Sequence, residues 1–113
     1  MRNWMAGCAA CAVLAAGMMA QLDAQDKAKP GDAAKGKDVF DQCSVCHNSD
    51  SEETKVGPGL KGLFKHPKLK NGKPVNEANV RAMINEGGNG MPSYADQLSD
   101  QDKNDVIAYL KTL

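Results

Sequence analysis

Two thiols and an imidazole stand close together in the run Cys43-Ser44-Val45-Cys46-His47. Two cysteines at this separation can reach the two vinyl groups of one haem and form thioethers, and the adjacent histidine is then placed under the iron as its proximal ligand. The C-x-x-C-H spacing is the attachment signature of c-type haem. It predicts one covalently bound haem c, attached at Cys43 and Cys46 and ligated by His47.

Three other kinds of site use the same residue types, and each fits this sequence less well. A thioredoxin-like cysteine pair needs a βαβ context, which the sequence does not predict. A structural zinc site needs four ligands, and beyond the motif only His66 is at hand after residue 24. A plain disulfide would leave a thin core and give His47 no role. Haem attachment therefore remains the prediction, with zinc as a weaker alternative.

Composition narrows the class of protein further. The chain has 113 residues, with 14 basic and 14 acidic side chains and a formal net charge of zero, which fits one small domain. The lack of a basic excess argues against a nucleic-acid-binding protein. Aromatic residues make up only 4% of the chain, so a haem would supply the planar apolar surface that the side chains do not.

Residues 1–24 are typical of a secretory signal peptide. Arg2 is followed by an uncharged apolar run, residues 6–20, that is shorter than the roughly 20 residues needed to span a bilayer. We predict cleavage after Ala24 or Ala20, and an uncleaved membrane anchor is the alternative. Cleavage would remove two of the four cysteines and leave no membrane span in the mature chain. The signal peptide also predicts a periplasmic location.

Capping side chains that precede apolar residues at helical spacing predict three helices. The first follows Asp32, the second follows Asn76, and the third follows Ser99, with Asp102 in a capping-box-like position. Their apolar positions are, in chain order, Ala33, Gly36 and Phe40; Val80, Met83 and Ile84; and Val106, Tyr109, Leu110 and Leu113.

No stretch alternates over the length of a strand, so the sequence predicts an all-α class with long loops between three main helices. Residues 25–31 are polar and are predicted to form a flexible leader. Residues 32–113 are predicted to form a single domain, whose long loops need something to pack on.

From residue 31 to residue 113 the chain resembles a class I, monohaem cytochrome c of bacterial type. This resemblance implies the cytochrome c fold, in which three main helices and long loops wrap around one covalently bound haem. The runs that carry it are Gly36-Lys37-Asp38-Val39-Phe40, Cys43-Ser44-Val45-Cys46-His47, Gly57-Pro58-Gly59-Leu60, Gly90-Met91-Pro92 and Val106-Ile107-Ala108-Tyr109-Leu110.

The resemblance implies that Met91 is the sixth ligand of the iron, through its thioether sulfur. An irregular loop rich in glycine and proline supports this role, because such a loop can wrap the distal face. Met83 and His66 are the rival ligands. Met83 falls on the apolar stripe of the second helix, where a core methionine is the simpler interpretation, and His66 lies in a basic loop, where a solvated side chain is expected.

The resemblance also implies two further contacts. The carbonyl of Pro58 accepts the proximal imidazole N–H and fixes its tautomer, although the residues alone predict only a rigid Gly-Pro-Gly turn. Gly36 and Phe40 meet Tyr109 where the first and last helices cross, which ordinary helix packing would also produce.

Charge is distributed unevenly along the chain. Residues 55–75 contain six lysines and no acid, whereas residues 86–105 contain five acids and one lysine. Opposed patches of this kind would give a dipole that steers docking, and two solvated loops are the alternative.

These observations predict a monomeric periplasmic electron carrier and not an enzyme. Six ligands leave the iron no open position for a substrate, and the expected partners are redox proteins (a dehydrogenase, a cytochrome complex or a terminal oxidase) and no nucleic acid. Two alternatives remain open. One is a haem-bearing redox subunit of a dehydrogenase or oxidase complex, and the other is a haem enzyme or gas-binding protein with a labile sixth ligand.

Overall fold

The computed structural model describes residues 28–113, and the predicted signal peptide lies outside that range. The elements of this part of the chain are the helices α1 (Ala33–Phe40), α2 (Glu77–Glu86) and α3 (Asp100–Leu110), and one turn of 3-10 helix (Leu63–Lys65). β-Pairing among the described residues is limited to two isolated bridges. The predicted all-α class is therefore confirmed. Of the helices described, none combines the length and apolar character needed to cross a membrane.

Each α-helix begins at the capping residue that the sequence predicts. The side chain of Asp32 caps α1 and that of Asn76 caps α2, each by accepting backbone N–H groups of the first turn. At α3 the Ser99 hydroxyl accepts the Asp102 N–H at 3.0 Å, and the Asp102 carboxylate accepts the Ser99 N–H at 3.2 Å. Both N–H groups would otherwise lack a partner, so this capping box determines where α3 starts.

Helices α1 and α3 cross with their backbones in contact at Gly36. A Cβ atom placed on Gly36 would lie 1.9 Å from the carbonyl oxygen of Asp105, so only glycine allows this approach. One turn further along, the rings of Phe40 and Tyr109 pack with their centroids 5.3 Å apart. The predicted crossing of the first and last helices is confirmed.

The hydrophobic core lies between this crossing and α2. Its buried side chains are Phe40, Val80, Ile84, Leu98, Val106, Ile107 and Leu110. Half-buried side chains from the long loops pack against them, among them Leu60, Leu63 and Leu69. The loops thus cover the core with little regular secondary structure of their own beyond the 3-10 turn at Leu63–Lys65.

Two charged side chains of α3, Lys103 and Asp105, are buried. The Asp105 carboxylate accepts the backbone N–H of Asp32 and the side-chain N–H of Gln101, both at 2.8 Å, and the Lys103 ammonium donates to the carbonyl of Ala95 at 3.0 Å. Asp105 therefore does not belong to an acidic surface, as its position in the sequence suggested. One buried residue is acidic and the other is basic, so the remaining side chains of residues 86–105 still carry an excess of negative charge.

Residues 28–31, the described part of the predicted leader, run along α3. The N–H of Lys29 donates to the side-chain oxygen of Gln101 at 2.6 Å, and its carbonyl accepts the side-chain N–H of Asn104 at 3.0 Å. Gly31 lies so close to α3 that a Cβ atom there would be 2.1 Å from the carbonyl oxygen of Asn104.

Candidate functional site

A cavity of about 830 Å³ opens between the long loops, α2 and the core. This volume lies within the range of cofactor sites in proteins. All five predicted site residues line it: Cys43, Cys46, His47, Pro58 and Met91. Residues separated by up to 48 positions in the sequence are thus brought to one site.

The C-x-x-C-H run forms a tight turn directly after α1. The N–H of Cys43 donates to the carbonyl of Phe40 at 2.7 Å, and the carbonyl of Cys43 accepts the N–H groups of Cys46 at 3.1 Å and His47 at 3.0 Å. This turn holds both thiols and the imidazole at the cavity. The two thiols are free and half-buried.

Burial raises the pKa of the first thiol. It raises the pKa of Cys43 above its ordinary value, and the neighbouring Cys46 thiol raises this pKa further. An ordinary cysteine thiol is already mostly protonated at neutral pH, and the raised pKa extends this protonated form of Cys43 further into the alkaline range.

The imidazole of His47 is held by the turn that follows it in the sequence. Its Nδ1 atom lies 2.7 Å from the carbonyl oxygen of Pro58. Because a carbonyl oxygen only accepts, Nδ1 carries the proton, and the lone pair of Nε2 is left available at the cavity. The N–H of Gly57 donates to the carbonyl of Cys46 at 2.7 Å, which fastens this turn to the C-x-x-C-H run.

Met91 projects from a tight turn after α2. Gly88 and Met91 exchange two backbone hydrogen bonds, of 2.9 and 3.0 Å. The residues between them, Asn89 and Gly90, both have positive φ, of 52° and 91°, as in the two-residue turns that favour an Asn-Gly pair. Met91 itself is half-buried and packs against the core at the cavity wall.

The two rival ligands also line the cavity. Met83 was expected in the core, yet it is half-buried and is not among the described side chains that pack against the core. The imidazole of His66 is 48% exposed and lies 3.0 Å from the carboxylate of Glu52. His66 is therefore an exposed side chain, as expected, but it is paired.

Several wall residues are not evident from the sequence pattern. Leu60, Leu63 and Leu69 come from loops without helical or strand period, yet they line the cavity and contact the core. Tyr94 lines it too, and burial raises the pKa of this phenol above its ordinary value, with smaller contributions from the Cys43 and Cys46 thiols. The one feature of the sequence that could have indicated Leu60, Leu63 and Leu69 is their apolar character within a lysine-rich loop.

The six lysines of residues 55–75 are all exposed. Lys68, Lys70 and Lys73 line the cavity, whereas Lys55 donates from its ammonium to the carbonyl of Ser44 at 2.8 Å. The basic segment therefore borders the cavity, and two acidic residues, Glu52 and Glu86, line it as well.

The donor set and the space fit a covalently attached haem. Two thiols, an imidazole lone pair and a thioether line one cavity with an apolar wall, and these are the attachment and ligand groups of c-type haem. An all-α fold whose loops enclose such a site defines a covalent haem protein.

The chain belongs to the cytochrome c family, since the family model described as Cytochrome c matches residues 33–113. It is a class I monohaem cytochrome c, an electron-transfer protein that carries one covalently bound haem c and is not an enzyme.

Individual relatives support the same assignment. The chain is 32% identical over 103 residues to cytochrome c2 of Rhodopila globiformis, covering 76% of this chain and 97% of that protein. It is 36% identical over 90 residues to a cytochrome bc1 complex cytochrome c subunit of Corynebacterium diphtheriae, covering 78% of this chain but only 30% of that protein. Among solved structures, cytochrome cH from Methylobacterium extorquens matches with a TM-score of 0.55 and 30% identity, covering 74% of this chain and all of that one (100%).

Proposed function

We propose that this cytochrome is a periplasmic carrier in which His47 and Met91 are the axial ligands of the iron. The observation that carries the proposal is that both side chains line the same cavity as the two attachment cysteines. Bound haem supplies an iron that gains and loses one electron between its ferrous and ferric states. With both axial positions taken by side chains, no substrate needs to bind the iron.

His47 and Pro58 would act together on the proximal side. The hydrogen bond from Nδ1 to the Pro58 carbonyl keeps the ring in one tautomer and one orientation. A proton held in this way makes Nε2 a stronger donor. Cys43 and Cys46 would fix the ring's position relative to the haem plane through two thioethers.

Met91 would set the potential range from the distal side. A thioether is a soft ligand that raises the reduction potential relative to a second imidazole. Its turn is closed by the bonds between Gly88 and Met91, so the sulfur is presented by a short, structured loop.

We further propose that the chain is exported and exchanges electrons with respiratory partners as a monomer. The pattern of residues 1–24 supports export, with cleavage after Ala24 or Ala20. A dehydrogenase, a cytochrome complex or a terminal oxidase would then be the partner. The relative from C. diphtheriae, a subunit of a cytochrome bc1 complex, favours a respiratory setting. The exposed lysines beside the cavity favour an acidic partner surface.

The ligand assignment is tested on a Met83→Leu variant of the haem-loaded protein. Met83 and Met91 are the two methionines after residue 24, so this variant leaves Met91 as the one methionine of the mature chain. We expect a low-spin spectrum, the weak iron–thioether charge-transfer band of the oxidised form, and no ready binding of carbon monoxide. A high-spin variant that binds carbon monoxide would overturn the assignment of Met91. Wild-type protein that behaves in that way would overturn the carrier function itself.

A further inference from the structure

A second methionine faces the same cavity as Met91. Val80 and Ile84 of α2 are 4% and 8% exposed and belong to the core. Met83, which shares their stripe in the sequence, is half-buried and lines the cavity instead. Met83 thus lines the cavity that also holds Met91, and it is not among the side chains that pack against the described core.

The backbone of Gly87 contacts the backbone of both methionines. The N–H of Gly87 donates to the carbonyl of Met83 at 2.8 Å. A Cβ atom on Gly87 would lie 2.4 Å from the carbonyl oxygen of Met91. The chain after Met91 returns to the same turn of α2, where the N–H of Tyr94 donates to the carbonyl of Ile84 at 2.9 Å. The last turn of α2 and the Met91 turn therefore border one part of the cavity.

We propose that Met83 is a reserve ligand, whose thioether takes the sixth position when that of Met91 is lost. This inference rests on the proposed function, in which Met91 is the resident ligand. Both sulfurs have the same softness, and the three rotatable bonds of methionine let Met83 adjust its reach. In the exchange the iron–sulfur bond to Met91 breaks and one to Met83 forms, with no transfer of an electron or a proton.

The two methionines are carried by segments that differ in exposure. Met91 is carried by a turn whose residues Gly88, Asn89 and Gly90 are all exposed. Met83 is carried by a helix whose neighbouring side chains are buried in the core.

The experiment compares Met91→Leu with the double variant Met83→Leu/Met91→Leu, both loaded with haem. Leucine keeps the apolar volume of Met91 without its sulfur. In Met91→Leu the mature chain has Met83 as its one methionine, so a ¹³C-methyl-methionine label gives a signal that belongs to Met83. We expect Met91→Leu to retain a thioether charge-transfer band when oxidised. When reduced, its labelled methyl should shift strongly upfield in the ring current of the haem. The double variant should lose the band.

A high-spin Met91→Leu variant would overturn the reserve role of Met83. A low-spin Met91→Leu variant without the thioether band would also overturn it, because its iron would hold a nitrogen ligand such as His66. Retention of the band in the double variant would also overturn it. Met83→Leu separates this failure from that of the proposed function, because it stays low-spin with a thioether band if Met91 is the resident ligand. If Met91→Leu does not fold, Met91→Ala and the double variant Met83→Leu/Met91→Ala are examined by the same two measurements.

Discussion

The Nδ1 atom of His47 lies 2.7 Å from the carbonyl oxygen of Pro58, and this contact decides which ring nitrogen is free at the cavity. The preceding residue makes it possible. A Cβ atom on Gly57 would lie 2.5 Å from Cε1 and 2.9 Å from Nδ1 of the imidazole. The absence of a side chain at Gly57 therefore lets the backbone lie against the ring, and Pro58 can reach it from there.

The variant Gly57→Ala should disturb His47 directly. The added methyl group must displace either the ring or the turn, since 2.5 Å is well inside van der Waals contact. We expect a loss of about 1–3 kcal/mol in the free energy of unfolding. We also expect a higher reduction potential, because a weaker hydrogen bond to Pro58 makes Nε2 a poorer donor, which stabilises ferric iron less. Denaturant unfolding and redox titration measure the two effects.

Gly72→Ala is the control for that variant. Gly72 has a φ of 84° and no neighbour within 4 Å of a Cβ atom, so alanine there strains the backbone without touching His47. It should lower stability and leave the potential unchanged. Equal potentials for wild type and Gly57→Ala would show that the contact with Pro58 does not tune the imidazole.

The crossing of α1 and α3 gives a second prediction. Gly36→Ala places a methyl group 1.9 Å from the carbonyl oxygen of Asp105, which is backbone and cannot move aside cheaply. We expect the free energy of unfolding to fall by about 1–3 kcal/mol or more. Lys37→Ala, on the exposed side of the same helix, should change it by less than about 0.5 kcal/mol. Similar midpoints of urea unfolding for the two variants would contradict the backbone contact.

The sequence predicts best what depends on neighbouring residues. The caps at Asp32, Asn76 and Ser99 are local, since each side chain bonds an N–H group within three positions of itself. The C-x-x-C-H turn is local in the same sense, because its hydrogen bonds close within four residues. Motif and helix starts could therefore be predicted from one sequence.

The burial of charged residues and the positions of several cavity residues depend on contacts between residues that are far apart in the sequence. Asp105 is buried because the backbone N–H of Asp32, 73 positions away, donates to it, and no local pattern indicates this. Met83 keeps the helical period of a core residue but lies at the cavity because the loop after α2 returns past it. Leu69, in a Lys-rich loop, has no periodicity that would predict its burial.

Attachment of the haem gives a third prediction. After residue 24, Cys43 and Cys46 are the two thiols of the chain. Replacing both by alanine should abolish covalent haem on a denaturing gel, whereas Ser44→Ala between them should leave it unchanged. Each single variant should keep one thioether, with a pyridine haemochrome band between those of the unattached and doubly attached haem. Haem stain retained by the double variant would contradict attachment at these positions.

Tyr94 gives a prediction for alkaline pH. Burial is the largest of the causes that raise the pKa of its phenol in the folded chain, and this cause remains when the two thiols have become thioethers. In the unfolded chain the phenol ionises at its ordinary pKa of about 10. Between these two pKa values the unfolded state has lost the proton that the folded state keeps, so the free energy of unfolding falls as pH rises through this interval. Below it both states are neutral at Tyr94, and the residue contributes no pH dependence.

The variant Tyr94→Phe removes the ionisable hydroxyl and with it this contribution to the pH dependence. Urea unfolding from about pH 8 to about pH 11, followed by circular dichroism, should therefore show a shallower alkaline decline for Tyr94→Phe than for wild type. Identical slopes for the two proteins would mean that the phenol has the same pKa in both states.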